Sequence, residues 1–160
     1  MAQAGGLRES DYEGIDPAVM HASRDVDELR GLLLDPGQRM WERYRALFAL
    51  RAVGTDAAVE AIGRCLLTDD SALLRHECAF VFGQMADARC LPWLERSLAG
   101  DDHAMVRHEA AEALGAIAEA HEEALAMLQH YAVHDPALEV RQSCEVALDN
   151  IAYLRDPSRF

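Results

Sequence analysis

The sequence predicts an all-α fold, an α-solenoid of about four helix-pair repeats with eight helices. The triplet Arg-His-Glu occurs twice, at residues 75–77 and 107–109, and each copy opens an apolar stretch with helical spacing. An arginine recurs at the first position of this frame, at Arg43, Arg75, Arg107 and Arg141. The resulting repeat lengths of 32, 32 and 34 residues are typical of solenoids built from helix pairs.

The apolar residues occupy the same offsets from the arginine in each copy. Around the two triplets, Leu74, Cys78, Val81, Phe82 and Met85 match Val106, Ala110, Ala113, Leu114 and Ile117. The same frame fits upstream at Ala46, Ala49, Leu50 and Val53, and downstream at Val140, Cys144, Ala147, Leu148 and Ile151. Four copies of one helix are therefore visible in the sequence.

The helices are predicted in pairs at about 25–34 with 40–53, 56–67 with 71–85, 90–99 with 105–118, and 120–132 with 137–152. The breaks contain residues that cap helices and form turns, at Asp35-Pro36-Gly37, Asp69-Asp70-Ser71, Gly100-Asp101-Asp102 and Asp135-Pro136. No strand-like alternation and no glycine-rich phosphate loop occurs, which argues against a nucleotide-binding fold.

The repeats are predicted to form one domain over residues 24–155, with a short tail at 156–160. Residues 1–23 have no apolar periodicity and contain Gly5-Gly6, Gly14 and Pro17, so we expect a mobile leader there. No apolar run approaches the ~20 residues of a membrane span. The four cysteines have no CxxC spacing, and Cys78 and Cys144 fall among the apolar helix positions. These features predict reduced core thiols in a cytoplasmic protein.

The 160-residue chain is 51% hydrophobic and 27% charged, which is ordinary for a soluble globular domain with a buried core. Its formal net charge is −13. This charge argues against nucleic acid as a partner and favours a basic protein surface or a cationic ligand. Solubility alone is the alternative explanation of the charge.

The two His-Glu pairs, His76-Glu77 and His108-Glu109, form a candidate site. Second helices of successive solenoid repeats line one face at a spacing of ~8–10 Å, so His76 and His108 are predicted to be neighbours. The outer repeats have polar residues in this row, with Tyr44 and Gln142 at the histidine position and Arg45 and Ser143 at the glutamate position. We therefore expect the row to face solvent.

Two imidazoles and a carboxylate are a ligand set used by non-haem iron. Adjacent residues on a helix differ in direction by about 100°, so one glutamate is expected to be a ligand and the other to lie behind it or face a substrate. The HExxH motif of zinc proteases is absent, because Phe80 and Glu112 stand four residues after the histidines. The alternative is a solvated polar face on which each glutamate pairs with an arginine.

An aspartate stands six residues before three of the frame arginines, at Asp69, Asp101 and Asp135, and Gly37 holds this position in the first copy. We expect the aspartate of each turn to pair with an arginine of the next repeat. This pattern resembles the aspartate and arginine ladder of HEAT repeats.

The sequence resembles the deoxyhypusine hydroxylase family. The resemblance is carried by the segments 71–77 and 105–117, which contain the two triplets, and by 42–51, Gly83-Gln84 and 140–149. It covers nearly everything after residue 23 and corresponds to one half of the enzyme. Residues 14–18 and 143–149 are more similar to the C-terminal half than to the N-terminal half.

The resemblance implies a HEAT-repeat monooxygenase that hydroxylates deoxyhypusine on translation factor five A with two Fe²⁺ ions and dioxygen. It assigns His76, His108 and Glu109 to one iron, and Glu77 to the substrate amine or to a second metal contact. The other iron would come from a second half or from a symmetric homodimer. No nucleic acid or membrane is expected as a partner.

Three other functions remain open at this point. The first is a separately expressed half of the enzyme that is catalytically incompetent. The second is a metal-free HEAT adaptor that binds a basic peptide on its concave face. A more distant alternative is a bilin lyase, which has similar short helical repeats and would bind a tetrapyrrole.

Overall fold

The computed structural model describes residues 20–159, except for the side chains of Ala120 and Arg159. This range contains eight α-helices and no strand, so the all-α prediction is confirmed there. The helices are α1 Val26–Leu34, α2 Met40–Val53, α3 Asp56–Thr68, α4 Ala72–Met85, α5 Leu91–Gly100, α6 Ala104–Ile117, α7 Glu122–His134 and α8 Leu138–Arg155. Short 3-10 turns cover Ala88–Cys90, Ala118–Ala120 and Pro157–Arg159.

The ends of the helices follow local capping chemistry. No end lies more than three residues from its predicted position. The side chains of Asp25, Thr55 and Ser71 accept hydrogen bonds from backbone N–H groups in the first turns of α1, α3 and α4. Helix α2 ends at Gly54, whose φ of 63° is the left-handed conformation that favours glycine.

The helices pack in two layers. The second helices of the pairs, α2, α4, α6 and α8, lie side by side in one layer, and α1, α3, α5 and α7 form the other. The apolar stripes of both layers meet in a continuous core, whose largest fully buried side chains include Leu29, Leu47, Ile62, Phe82, Leu94, Leu114 and Leu128. No helix within residues 20–159 is both long and apolar enough to cross a membrane.

The predicted leader falls almost wholly on residues 1–19, which lie outside the described range. Just after it, the backbone N–H of His21 donates to the carbonyl of Arg45 at 3.0 Å. This contact places the chain entering α1 against helix α2. The cysteines at 65, 78, 90 and 144 are all buried and unpaired, as the sequence predicted for core thiols.

Small residues let the second helices approach closely. A Cβ atom added to Gly115 on α6 would lie 2.6 Å from Cβ of Ala147 on α8. A Cβ atom added to Gly83 on α4 would lie 3.2 Å from Cα of Ala113 on α6. Each glycine stands seven residues after a histidine of a triplet, about two turns along the same helix face. The close approach therefore occurs about two turns along the helices from the candidate site.

An arginine and aspartate ladder joins the repeats. The guanidinium of Arg107 donates two hydrogen bonds to the Asp135 carboxylate, at 2.8 and 2.9 Å, and also donates to the backbone carbonyl of Asp101 at 3.0 Å. The arginine positions of the first three repeats pair in the same way, Arg43 with Asp69, Arg75 with Asp101, and Arg107 with Asp135.

The predicted pairing is thus confirmed, but its direction was wrong. Each aspartate pairs with the arginine of the preceding repeat, because the turn that carries Asp135 lies beside α6, where Arg107 is located. The arginine instead reaches its own turn through a backbone carbonyl. Arg75 and Arg107 therefore each contact two consecutive turns and fix the rotation of one second helix relative to the next.

Candidate metal centre

Helices α4 and α6 bring two imidazoles and one carboxylate together. The ligand atoms of His76, His108 and Glu109 all lie within 4.8 Å of one another. Nε2 of His76 is 3.0 Å from Oε2 of Glu109, and Nε2 of His108 is 4.0 Å from the same oxygen. The two rings are 6.4 Å apart between centroids and tilted by 31°. The Glu109 carboxylate therefore faces both histidines, which are neighbours as predicted.

The row of side chains does not face solvent throughout, contrary to the sequence prediction. Glu109 is only 8% exposed and Ser143 only 7%, whereas His76 and His108 are partly exposed. The glutamate position points into the seam between neighbouring second helices, about 100° from the histidine position. Small residues allow these helices to pack closely, and the close packing buries the side chains at the glutamate position.

The inter-repeat contacts follow one rule. The residue at the histidine position of one repeat faces the residue at the glutamate position of the following repeat. The pairs are Tyr44 with Glu77 through an electrostatic interaction, His76 with Glu109, and His108 with Ser143. Of these three junctions, only the one between α4 and α6 sets a histidine against a carboxylate. The candidate metal set is therefore confined to that junction.

Glu77 lies outside the three-residue set and occupies the preceding junction. Its side chain is partly buried. Burial raises the pKa of Glu77, His76 lowers it, and the Glu109 carboxylate raises it further. Burial, followed by the negative charge of Glu77, raises the pKa of Tyr44 to about 12. Helix α4 thus holds a second, partly buried carboxylate beside the metal set.

The electrostatic environment of His76 favours positive charge. The hydrogen bond that its ring donates to Glu109 raises the pKa of His76, although burial acts in the opposite direction. Glu77 and Glu112 raise this pKa further. Three carboxylates around a pair of imidazoles produce a negative potential that suits a proton or a metal cation.

The donor set fits a divalent transition metal. Neutral imidazole nitrogens and one carboxylate suit Fe²⁺ and related ions, and three protein donors leave further coordination positions open. Nε2 of His76 is the ring nitrogen that faces Glu109, and the other nitrogen, Nδ1, is buried and has no hydrogen-bond partner in residues 20–159. That His76, His108 and Glu109 bind a metal stays a prediction.

Two contacts of His108 were not predicted. Its Nδ1 atom lies 2.7 Å from Oγ of Ser143 on α8 and 3.4 Å from Oε1 of Glu112, one turn along α6. The alignment of the repeats had placed Ser143 at the glutamate position of the fourth repeat. Pairing it with His108 requires knowing that the histidine position of one repeat contacts the glutamate position of the following repeat. Without the structure that offset is not visible.

Exposed apolar side chains surround the histidines. Leu73 and Phe80 stand three residues before and four after His76, and Met105 stands three before His108, so helical spacing puts them on the histidine face. Val146 occupies on α8 the position of Phe80 on α4. We refer to Leu73, Phe80, Met105 and Val146 as the apolar rim.

The repeats and their ladder define the class of protein. Residues 59–149 match the model of the family described as HEAT repeats, and residues 42–68 match that described as PBS lyase HEAT-like repeat. The first match covers more than half of the chain, which therefore belongs to the HEAT-repeat family. The second match covers about one repeat.

Within this class, the chain is similar to deoxyhypusine hydroxylases. It is 47% identical to the Mus musculus enzyme over 142 residues, covering 89% of this chain and 46% of the relative. Deoxyhypusine hydroxylase-B of Oryza sativa subsp. japonica is 47% identical over 152 residues, covering 94% of this chain and 49% of the relative. The chain spans about half the length of the curated relatives it matches.

A solved structure has the same architecture. The structure of human deoxyhypusine hydroxylase in complex with glycerol matches with a TM-score of 0.79 and 47% sequence identity. The match covers 86% of this chain and 47% of the human chain. The resemblance noted from the triplets is thus confirmed by sequence comparison over about nine-tenths of this chain and by fold.

Proposed function

We propose that this chain is an iron-dependent monooxygenase that hydroxylates deoxyhypusine on translation factor five A, or the metal-binding half of such an enzyme. The observation that carries the proposal is the junction of α4 and α6, where His76, His108 and Glu109 converge within 4.8 Å. The similarity to deoxyhypusine hydroxylases over about nine-tenths of the chain supplies the substrate.

His76, His108 and Glu109 would hold one Fe²⁺ ion per chain, with two ions in a complete active site. The iron would supply the redox chemistry through which one oxygen atom of the co-substrate dioxygen enters a C–H bond, while two electrons from an external reductant and two protons convert the other atom to water. The protein's part is to present these donors on the neighbouring helices α4 and α6, whose relative rotation the Arg75 and Asp101 pair fixes. The partly exposed imidazoles leave the metal accessible from one side.

Glu77 is proposed to bind the amine of the substrate. Its carboxylate lies beside the metal set and is partly buried, with an ionised form that burial disfavours. A cationic amine placed against it would offset that cost and form a charge-assisted hydrogen bond. The net charge of −13 supports the same conclusion, because the amine of the proposed substrate side chain is cationic.

A second solenoid surface is proposed to cover the site. The set lies at one face, and water exclusion during oxidation requires a lid over that face. The apolar rim of Leu73, Phe80, Met105 and Val146 offers the contact surface. The cover is a second copy of this chain, related by a two-fold axis, or a second half of the enzyme. The four buried, unpaired thiols support the cytoplasm as the compartment.

Native mass spectrometry of protein from iron-supplied cells tests the proposal, because it reports assembly mass and bound metal together. We expect one iron per chain, in a dimer that hydroxylates a deoxyhypusine-bearing protein. His108→Ala and Glu109→Gln are expected to abolish iron binding. His130→Ala, which removes an exposed histidine on α7, is the matched control and is expected to retain it.

The other outcomes separate the alternatives. Iron binding without product formation, even in a dimer, would identify an incompetent half. A metal-free protein that binds basic peptides equally well with or without a chelator, and with His108→Ala, would identify an adaptor. Iron that persists in both His108→Ala and Glu109→Gln would contradict the assignment of the site.

A further inference from the structure

A side chain of the fourth repeat contacts a proposed metal ligand of the third. Oγ of Ser143 on α8 lies 2.7 Å from Nδ1 of His108, and the hydroxyl donates to Oε1 of Glu112 at 3.5 Å. Oε1 of Glu112 is also 3.4 Å from the same imidazole nitrogen. Two polar groups, one from α8 and one from α6, therefore meet at Nδ1 of His108, while Nε2 is the nitrogen nearer Glu109.

The chemistry of this group determines where the imidazole proton resides. An ionised carboxylate only accepts hydrogen bonds, so the hydroxyl proton of Ser143 is directed to Glu112. The Ser143 oxygen then presents a lone pair to Nδ1 of His108, and Glu112 presents another acceptor to the same atom. With the hydroxyl proton directed to Glu112, both neighbours are acceptors toward Nδ1, which assigns the proton of the neutral ring to Nδ1 and the lone pair to Nε2.

Nε2 of His108 is the nitrogen that faces Glu109, at 4.0 Å. A metal ligand needs an unprotonated nitrogen aimed at the site, and hydrogen bonding at the other nitrogen commonly fixes both features. His76 is held differently, since its Nδ1 has no partner in the described range. Of the two imidazoles, only His108 is oriented by side chains outside the metal set.

The contact is built into the packing. Ser143 is 7% exposed, at the seam where Gly115 and Ala147 draw α6 and α8 together. A hydroxyl buried there has few orientations, and its two observed partners both belong to this group. Displacing α8 would break the contact, so the fourth repeat is coupled to a site that none of its residues enters.

We propose that Ser143, supported by Glu112, is a positioning residue that sets the tautomer and the ring direction of His108. The metal-binding part of this inference rests on the proposed function, whereas the tautomer itself is a property of the metal-free protein. The two parts are therefore tested by different measurements.

The tautomer is tested by long-range ¹H–¹⁵N NMR of the metal-free protein at a pH of about 8, where histidine is neutral. The His108 signals are assigned from their loss in His108→Gln. We expect the Nδ1–H tautomer in the wild type, a shift toward the Nε2–H tautomer in Ser143→Ala, and restoration in Ser143→Thr, which keeps the hydroxyl. An Nε2–H tautomer in the wild type would overturn the inference whatever the metal does.

The effect on the metal is tested by titrating metal-free protein with Co²⁺ and following its visible spectrum. We expect Ser143→Ala to weaken binding by about 10- to 100-fold and Ser143→Thr to recover most of the loss. Ser97→Ala is the matched control, because it removes another buried serine hydroxyl, on α5, and is expected to leave affinity unchanged.

These outcomes separate the two proposals. If the wild-type protein binds no Co²⁺ but shows the Nδ1–H tautomer, the proposed metal function is contradicted and the positioning of His108 stands. Equal Co²⁺ affinities in the wild type and in a folded Ser143→Ala variant, as judged by circular dichroism, would overturn the positioning role and leave the metal function standing.

Discussion

Nε2 of His76 lies 3.0 Å from Oε2 of Glu109, across the boundary between the second and third repeats. The two side chains belong to different helices, α4 and α6, so their distance depends on how one repeat packs on the next. The candidate site is therefore a property of a junction and not of a single repeat. Changes that shift the junction are expected to alter the site even when they leave every proposed ligand in place.

The two glutamates of the triplets are expected to separate in function. Glu109→Gln should remove metal binding, because the glutamine amide lacks the negative charge that Glu109 presents to both imidazoles. Glu77→Gln should retain metal and weaken binding of the proposed deoxyhypusine-bearing substrate by roughly ten- to a hundredfold, the value of one charge-assisted hydrogen bond. Metal analysis and substrate titration of both variants measure the split. Loss of metal in Glu77→Gln would show that both carboxylates are ligands.

Gly115→Ala is expected to destabilise the protein and weaken the site together. The new Cβ would lie 2.6 Å from Cβ of Ala147, so α6 and α8 must separate. Overpacking of this kind costs about 1–3 kcal/mol of unfolding free energy. Gly31→Ala is the control, because nothing lies within 4 Å of the added Cβ, and it is expected to stabilise helix α1 by up to about 1 kcal/mol.

Urea denaturation of the two glycine variants, with Co²⁺ titration of each, checks this prediction. The separation of α6 from α8 should also lengthen the contact between Ser143 and His108, and so reduce metal affinity. A Gly115→Ala variant as stable as Gly31→Ala, with unchanged affinity, would mean that the close approach at this seam has no role in the site.

The helices were predictable from the sequence because their determinants are local. Two signals lie within a single repeat: the spacing of apolar residues from the frame arginine, and the capping residues in the breaks. Together they predicted every helix end to within three residues of its observed position. The largest difference is at the end of α8, which continues to Arg155, where the sequence has no glycine or proline stop between the predicted end and Asp156. A helix without a stop signal extends until its packing ends.

The site was predictable only in part, because its remaining features depend on packing between repeats. The neighbouring positions of His76 and His108 follow from the repeat length alone. The burial of Glu109 depends on how closely α6 approaches its neighbours, and the pairing of His108 with Ser143 depends on an offset of one repeat between contacting positions. The direction of the arginine and aspartate ladder was misassigned for the same reason.

The ladder predicts a specific sensitivity to acid. Burial opposes ionisation of Asp135, but the hydrogen bonds from Arg107 hold the pKa of Asp135 below its ordinary value. A carboxylate with a lowered pKa in the folded state contributes stability that is fully present above the unfolded pKa of about 3.9. That contribution is lost as the pH falls through the folded pKa. The same sign applies to Asp101, whose pKa is lowered by Arg75 against the effect of burial.

Asp135→Asn measures the ladder contribution. The Asp135 side chain is 1% exposed, and removing its charge leaves Arg107 without its partner, which should cost about 3–5 kcal/mol at neutral pH. The variant should also lose less stability than the wild type as the pH falls below about 4. Asp27→Asn, at an exposed pair with Arg30, should change stability by less than about 1 kcal/mol. Equal urea midpoints for these two variants would contradict the ladder's role.

Ala86→Gly is expected to stabilise the protein, although it replaces alanine by glycine. Ala86 ends α4 in the left-handed conformation, with a φ of 48°, and its N–H donates to the carbonyls of Phe82 and Gly83. The left-handed conformation costs an L-residue about 1–2 kcal/mol, and glycine adopts it without that strain. Glycine loses more conformational entropy on folding, so the expected net gain in unfolding free energy is roughly 0.5–1 kcal/mol. The equivalent position of the first repeat already holds Gly54, with a φ of 63°.

The reciprocal change provides the control. Gly54→Ala should destabilise by a similar amount, because it imposes on α2 the strain that α4 has at Ala86. The first repeat lies far along the chain from His108 and Ser143, and neither substitution changes a side chain near the metal set. Urea denaturation should therefore show shifts of opposite sign, while the Co²⁺ affinity of both variants stays at the wild-type value. Shifts of the same sign would mean that backbone strain at the ends of α2 and α4 does not control their stability.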